Sequence, residues 1–590
     1  MIIAVLFALL MAWPFVYKHW LEPVFNPKTT PPASLQQIDT VSNSSSASAP
    51  SITATEKIAE KVTAESKPAI EPAGEPSLPA PDNVPEQLTT VTNAGLSIVI
   101  SSRGGGIVSA TFANYRASVE KDSGPLVLDF TKMPSLTYKG LNGFSAADNF
   151  TVISRSPEAV VIEGKNASGL QLTRTIELND AYQITVRDVI TNNSAQAQVI
   201  PKHAMQLGPM QMPAHEYRMS GMDYLGIDVL ASSGGEGVVH WAGKLAKLFK
   251  TLKKEGETSF LPKDIAKDED VPVDWLAVKN KFFAQIAVPE NGAAGYSFMA
   301  ERITVDGEDA NPALKPKSAE IKSVAAAVLL AGKTLNGGEA LCENLKLYLG
   351  PKKYSILRTL GLHQEDVMEF GMWSPVCKFL LTVLNITYSF IPNYGVAIIL
   401  LTILIRIIFW PLTHKSTESM KKMQALQPLM AELKAKHKDN PRKIQEETMA
   451  LYKKNKVNPV SGCLPMLIQI PVFIALFVVL RSAIELRFAP FLWVQDLSAP
   501  ERLFADILPI PLNILPIFMA VSQAWQQSLM PATDPNQQKM MLFFMPVMML
   551  VMFYMMPSAL VLYWSANQCI VIIQQLIQKK KTSGLAPANK

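Results

Sequence analysis

Residues 391–412 read Ile391-Pro-Asn-Tyr-Gly-Val-Ala-Ile-Ile-Leu-Leu-Thr-Ile-Leu-Ile-Arg-Ile-Ile-Phe-Trp-Pro-Leu412, an almost unbroken apolar run with one charge, Arg406, inside it. As a helix rising about 1.5 Å per residue, the run is roughly 33 Å long, enough to cross the ~30 Å hydrocarbon layer of a bilayer. Comparable runs follow at 460–481, 510–529, 540–556 and 558–577, and another opens the chain at 2–17. These runs predict a polytopic α-helical membrane protein with six transmembrane helices, five of them forming a C-terminal core at 388–578. Composition agrees: 48% of the 590 residues are hydrophobic and 18% charged, and the mean hydropathy is +0.15, which excludes a wholly soluble chain.

Charge orients the spans. The loop at 413–458 is rich in lysine, whereas the loop at 484–508 carries only Arg487 and Arg502 against Glu485, Asp496, Glu501 and Asp506. Basic loops stay on the cytoplasmic side, so 413–458 and the basic tail at 579–590 are expected in the cytoplasm, with alternate loops on the opposite, periplasmic side. The net charge of +5 is small for this length and implies no sequence-specific nucleic-acid partner. Cys342, Cys377, Cys463 and Cys569 form no CxxC pair and have no histidine at ligand spacing, so neither a disulfide framework nor a metal or other cofactor is indicated.

The run at 2–17 is interrupted by Pro14 and is followed by no small-x-small cleavage site, so 1–22 reads as an uncleaved anchor, a cleaved signal peptide being the alternative. Residues 23–90 are rich in Pro, Ser and Ala and poor in aromatics, too polar to build a core. As a coil of about 60 residues they would span on the order of 40 Å. From 91 to 350 the pattern becomes short alternating runs such as Leu96-Ser-Ile-Val-Ile100 and Tyr182-Gln-Ile-Thr-Val186. That alternation predicts a large periplasmic all-β domain, a two-layer sandwich rather than a barrel, with a helical interlude at 240–254. Residues 351–387 mix acids with Val367, Phe370, Trp373 and Phe379 and suit an interfacial helical segment broken at Pro375.

Arg406 lies six residues before Leu412, about 9 Å from the cytoplasmic end of its helix. Left unpaired and dry, an arginine at that depth costs roughly 2.5–3.5 kcal/mol. It could snorkel to nearby headgroups, but the five C-terminal runs hold no Asp or Glu to neutralise it. They do hold Gln469, Ser522, Gln523, Gln526, Ser565, Asn567 and Gln568. Singly, such residues join helices by hydrogen bonds; together with an unpaired arginine they point to a hydrophilic groove that admits water. In the cytoplasmic loop, Met420, Met423, Leu426, Met430 and Leu433 recur every three or four residues before a break at Asp439-Asn-Pro441. This predicts a helical hairpin whose apolar stripe is the seam between its helices, or an adaptable methionine-rich surface for hydrophobic segments. Gly332-Lys-Thr334 lacks the earlier glycine of a phosphate loop, and no hydrolase signature is present, so no enzyme is indicated.

Arg406-Ile-Ile-Phe-Trp-Pro-Leu-Thr413, Met420-Lys-Lys-Met-Gln-Ala-Leu-Gln-Pro428, Val457-Asn-Pro-Val-Ser-Gly-Cys-Leu-Pro465, Phe491-Leu-Trp-Val-Gln-Asp-Leu-Ser498, Asp534-Pro-Asn-Gln-Gln-Lys539 and Leu560-Val-Leu-Tyr-Trp564 closely resemble the YidC, Oxa and Alb insertase family, in its Gram-negative bacterial form. The resemblance covers 345–578 in order and extends to the β-domain by position and texture. It implies insertion of nascent transmembrane segments into the inner membrane through a positively charged groove built on Arg406, with Thr402, Gln469 and Tyr563 at groove or substrate-contact positions. Trp564 stands where the family often has a second tyrosine. The substrate helix would slide into lipid along the third and fifth spans. Implied partners are nascent membrane proteins, the lipid bilayer, the Sec translocon (SecY and SecDF), the ribosome and the signal recognition particle. Two other readings stay open on the residues alone: a secondary transporter, which would usually need an intramembrane acid, and a tethered periplasmic carbohydrate-binding protein.

Overall fold

The computed structural model describes residues 85–180, 182–211, 225–231, 239–240, 259–260, 272–303, 320–437, 440–455, 457, 464–504, 511–529 and 540–583. The expected anchor at 1–22, nearly all of the 23–90 linker, the motif at 534–539 and the end of the basic tail lie outside them. So does the helical interlude at 240–254 except for His240, which ends a two-residue strand, Val239–His240, paired with Asp228 and Val229.

Strands begin slightly before the expected boundary at 91. Leu88–Thr92 pairs antiparallel with Leu96–Ser101 and turns Thr89 and Val91 inward. The four-stranded sheet that starts there is a simple meander ending at Pro125–Asp129. A nine-stranded antiparallel sheet has Ala340–Pro351 near its middle, between Phe283–Pro289 and Gln183–Asn192. Against it packs a five-stranded sheet centred on Glu320–Leu330, which touches Val273–Lys279 of the larger sheet. Period-2 alternation explains the layering. In Leu170–Leu178, Leu172 and Ile176 are buried while Gln171 and Thr173 are not, and a one-residue slip would turn every one of those apolar side chains outward. Each fully buried aliphatic side chain contributes about 1.5–3 kcal/mol.

One inward position of that strand is charged. Arg174 is fully buried; its Nη2 meets Asp188 Oδ2 at 2.6 Å, and its Nη1 donates to the carbonyls of Gly105 at 3.0 Å and Leu136 at 2.5 Å. Tyr138 Oη lies 2.7 Å from Asp188 and 2.9 Å from Glu343, and His203 Nε2 is 3.1 Å from Glu343. The network ties the nine-stranded sheet to Tyr138–Lys139, an edge strand of the five-stranded sheet, and to the turn before it.

The helical part contains α1 (Ser374–Phe390), α2 (Tyr394–Ala425), α3 (Gln427–Lys436), α4 (Pro441–Lys454), α5 (Leu464–Ser482), α6 (Ile514–Leu529), α7 (Met545–Phe553, preceded by a π-helical turn at Met540–Phe544) and α8 (Ser558–Ser583). Pro375 marks a break, as the sequence suggested: 3-10 turns at Gln364–Met368 and Gly371–Trp373 give way there to α1. It occupies the first turn of α1, where its missing N–H has no partner to lose. The apolar run ends at Leu412 but the helix does not: α2 continues through Pro411 as far as Ala425, so the hairpin grows directly from it. Helices of membrane proteins accommodate an internal proline where neighbouring groups satisfy the freed carbonyl. Among the described residues, Tyr394–Ser416 and Ser558–Gln578 are long and apolar enough to cross a bilayer, while Gln469–Ser482 and Leu542–Phe553 are shorter apolar helices.

The β-domain and the helices meet through buried polar contacts. Lys279 Nζ reaches Asp228 Oδ2 at 2.5 Å, Glu369 Oε1 at 2.6 Å and the Val367 carbonyl at 3.1 Å, gripping the segment that leads into α1. Trp275 Nε1 donates to the Leu362 carbonyl at 2.8 Å. Lys281 Nζ donates to the Ser498 carbonyl at 3.0 Å, and Arg487 Nη1 to the Arg116 carbonyl at 2.7 Å, joining the domain to the loop between α5 and α6.

Candidate functional site

The expected groove residues converge on α2, α5, α6 and α8. Arg406 is half-buried on α2 and donates from Nε to Asn567 Oδ1 of α8 at 2.6 Å. Among the described residues no carboxylate pairs with it. Gln469 of α5 donates from Nε2 to Tyr563 Oη of α8 at 2.5 Å. Gln568 of α8 donates to Gln523 of α6, and Gln568 Oε1 has no hydrogen-bond partner among the described residues. Thus α8 is the common wall. Tyr563, Asn567 and Gln568 face three neighbouring helices because, at about 100° per residue, they fan over roughly 140° of the α8 surface.

Other expected residues play narrower parts. Thr402 is buried and returns its hydroxyl to the Ile398 carbonyl at 2.7 Å; Ser522 does the same to Met519 at 2.8 Å. Both keep their hydrogen bonds within their own helix and present a small side chain to the interior. Trp564 packs among aromatic rings. Its ring meets Phe473 of α5 edge-on at 5.3 Å and Phe553 of α7 at 5.4 Å, and its Nε1 is buried without a partner among the described residues. Trp564 is therefore an aromatic joint between α5 and α7.

The hairpin stripe packs as a seam. Leu426, Tyr452 and Val457 form a small buried cluster with Met423 and Met430 against it, and Tyr452 Oη lies 3.1 Å from Met430 Sδ. The side chain of Met420 lies outside the described residues. Asn440 caps α4 by accepting from the Lys443 N–H at 3.1 Å, with Pro441 in the first turn.

Sequence reasoning missed how the end of the bundle away from Arg406 is closed. Phe491 and Val494 exchange backbone hydrogen bonds of 2.8 and 2.9 Å, making a tight turn. The Phe491 ring occupies the place a Cβ of Gly395 would take, so a side chain at this position in the first turn of α2 would have to displace that ring. Glu501 accepts from the Ile514 and Leu515 N–H groups at the start of α6 and from Trp493 Nε1 at 3.2 Å. A carboxylate suits the positive end of that helix, and burial pushes its pKa up. No local signal marks Glu501 as a cap, because it lies 13 residues from the helix it serves.

A bundle of apolar helices with a charged polar seam, docked on a large β-domain, defines a helical membrane protein with an extramembranous β-rich part. The model of the "60Kd inner membrane protein" family matches residues 386–584, and that of the "YidC periplasmic domain" matches 88–383. A Pelobacter propionicus protein named "Membrane protein insertase YidC" is 33% identical over 474 residues, covering 79% of this chain and 82% of the relative. A Syntrophus aciditrophicus protein of the same name is 32% identical over 472 residues, covering 79% and 80%. A solved structure described as an active YidC insertase with its first transmembrane domain resolved is 19% identical, covers 83% of this chain and 92% of that one, and superposes with a TM-score of 0.34. The chain belongs to the YidC family of inner-membrane proteins, with the β-domain as its periplasmic part.

Proposed function

We propose that this protein is a membrane protein insertase, placing nascent transmembrane segments in the inner membrane without chemistry of its own. The observation that carries the reading is Arg406: a guanidinium inside an apolar helix bundle, held by the neutral amide of Asn567 and flanked by amide and phenol pairs. An arginine so placed keeps most of its five donors available. It can hold the acidic or polar flank of an incoming segment while the apolar stretch moves into lipid along α5 and α7. Burial of about 20 apolar residues in the bilayer supplies the driving force, and the polar seam lowers the barrier for a short tail.

In this reading six spans cross the membrane, counting the N-terminal anchor, with α2, α5, α6, the α7 segment and α8 as the core. The lysine-rich hairpin of α3 and α4 and the C-terminal tail face the cytoplasm, where ribosomes and the signal recognition particle deliver substrates. Long or strongly charged tails exceed what one arginine can hold, and for those the protein works beside the Sec translocon.

The test is insertion of a short-tailed single-span protein into liposomes holding only this purified protein, scored by protease protection. Wild type and Arg406→Lys are expected to insert and Arg406→Ala to fail. Equal insertion by all three would reduce Arg406 to a snorkelling residue, and solute flux without insertion would favour a transporter.

A further inference from the structure

Away from the Arg406 seam, α2, α6 and α8 enclose an apolar slot of about 400 Å3 beneath the turn at 491–494. Ile399 and Ile403 form one wall and Leu515 and Phe518 the other, with Leu562 and Ser565 on the floor. The roof is anchored to both walls. Phe491 seats on Gly395 of α2, and Trp493 hydrogen-bonds to Glu501, which caps α6. The void is therefore a built feature and not a packing lapse. Its mouth continues into apolar surface: Ile403 is 39% exposed, Phe518 47% and Leu492 75%.

We propose that this slot is a phospholipid site that seats a single acyl chain between α2 and α6. Three physical arguments select that occupant. Water is excluded, because a buried water makes about three hydrogen bonds and the lining offers little besides Ser565 Oγ, which is buried and without a partner among the described residues. A transmembrane helix is excluded by size: with a diameter of about 10–12 Å and a pitch of about 5.4 Å, a single helical turn fills roughly 400–600 Å3 by itself, and a helix must enter over many turns. An extended peptide is excluded because its backbone N–H and C=O groups would be buried unpaired. A flexible hydrocarbon chain satisfies all three conditions, and it is what stands at the mouth when these helices cross a bilayer. Counted from the start of α2, Ile399 and Ile403 lie about 8 and 14 Å along the helix, which puts the slot in the leaflet on the β-domain side. Ser565 Oγ can then donate to a lipid ester carbonyl or remain an adaptable small contact. The proposal requires only that α2, α6 and α8 stand in the membrane, and it is independent of the insertase reading.

The experiment uses the full chain in vesicles of phosphatidylethanolamine and phosphatidylglycerol, with a trace of phosphatidylethanolamine bearing a diazirine along one acyl chain. After illumination, labelled peptides are mapped by mass spectrometry, before and after washing the vesicle protein with detergent ahead of illumination. Adducts are expected on 399–403 and 562–570, surviving the wash, while the lipid-facing segment around Val551, 72% exposed on α7, loses its labelling. Ala566 also lines the slot on the α8 side, and Ala566→Phe, which fills the slot from there, should abolish the slot adducts and leave the unwashed α7 labelling intact, showing that the bundle has folded. Two results would overturn the proposal: slot labelling that washes out as fast as at Val551, which is ordinary boundary lipid, or adducts that persist in Ala566→Phe. Insertion measured on the same samples reads the insertase function separately, so failure of one does not pass for failure of the other.

Discussion

Arg174 in the β-domain and Arg406 in the helical bundle are both arginines withdrawn from bulk water, and their surroundings differ in kind. Arg174 is fully buried and spends its donors on Asp188 and two carbonyls, with its guanidinium 5.0 Å from the Tyr138 ring centre. Arg406 is half-buried and has one amide oxygen. A closed network of buried polar groups rigidifies a fold, whereas an open one leaves binding capacity. The same side chain is thus a structural pin in one region and a candidate substrate contact in the other.

The largest effect should come from breaking the closed network. Removing one partner of a buried ion pair typically costs 3–5 kcal/mol. Arg174→Met should lower the stability of the β-domain by about that much, read as a shift in its denaturant midpoint, and the double variant Arg174→Met with Asp188→Leu should recover a good part. If Arg174→Met unfolds nothing, the two arginines do not differ as argued.

A second break targets Lys352, which closes the strand Ala340–Pro351 and donates to the Asn280 carbonyl at 3.1 Å. Burial, reinforced by neighbouring Lys279, pushes its pKa down from 10.5 to about 7. Because the folded value lies below the unfolded one, the unfolded chain binds the extra proton between those limits, so stability should rise as pH goes from about 7 towards 10.5. Lys352→Met should flatten that slope in pH-dependent thermal unfolding; an unchanged slope would assign it to another group.

Gly395→Val is expected to cost about 1–3 kcal/mol by overpacking against Phe491; smaller effects on bundle melting would mean that the roof turn moves freely. The smallest change belongs to Trp564→Phe, worth about 1 kcal/mol or less, because the lost indole N–H had no partner and the ring contacts with Phe473 and Phe553 remain in large part. Loss of insertion in that variant would move Trp564 from packing into the groove.

Much of this arrangement was legible in the sequence. Apolar runs marked α2 and α8, period-2 alternation marked the β-domain, and a charge inside an acid-free set of spans marked Arg406. Spacings of three and four in Met423, Leu426 and Met430 announced the hairpin seam. What stayed hidden depends on contacts between distant residues. Lys279 and Glu369 are 90 positions apart and Arg406 and Asn567 are 161 apart, and neither side chain carries a local sign of its partner.

The most direct measurement places a photo-crosslinking residue beside an aspartate in the polar tail of a single-span substrate and traps it during insertion by the reconstituted protein. Adducts on 402–406 of α2 and 563–567 of α8, lost in Arg406→Ala while the β-domain still melts normally, are the predicted result. Adducts confined to the lipid-facing sides of α5 and α7, unchanged by Arg406→Ala, would contradict the groove and leave Arg406 as a polar tie to Asn567.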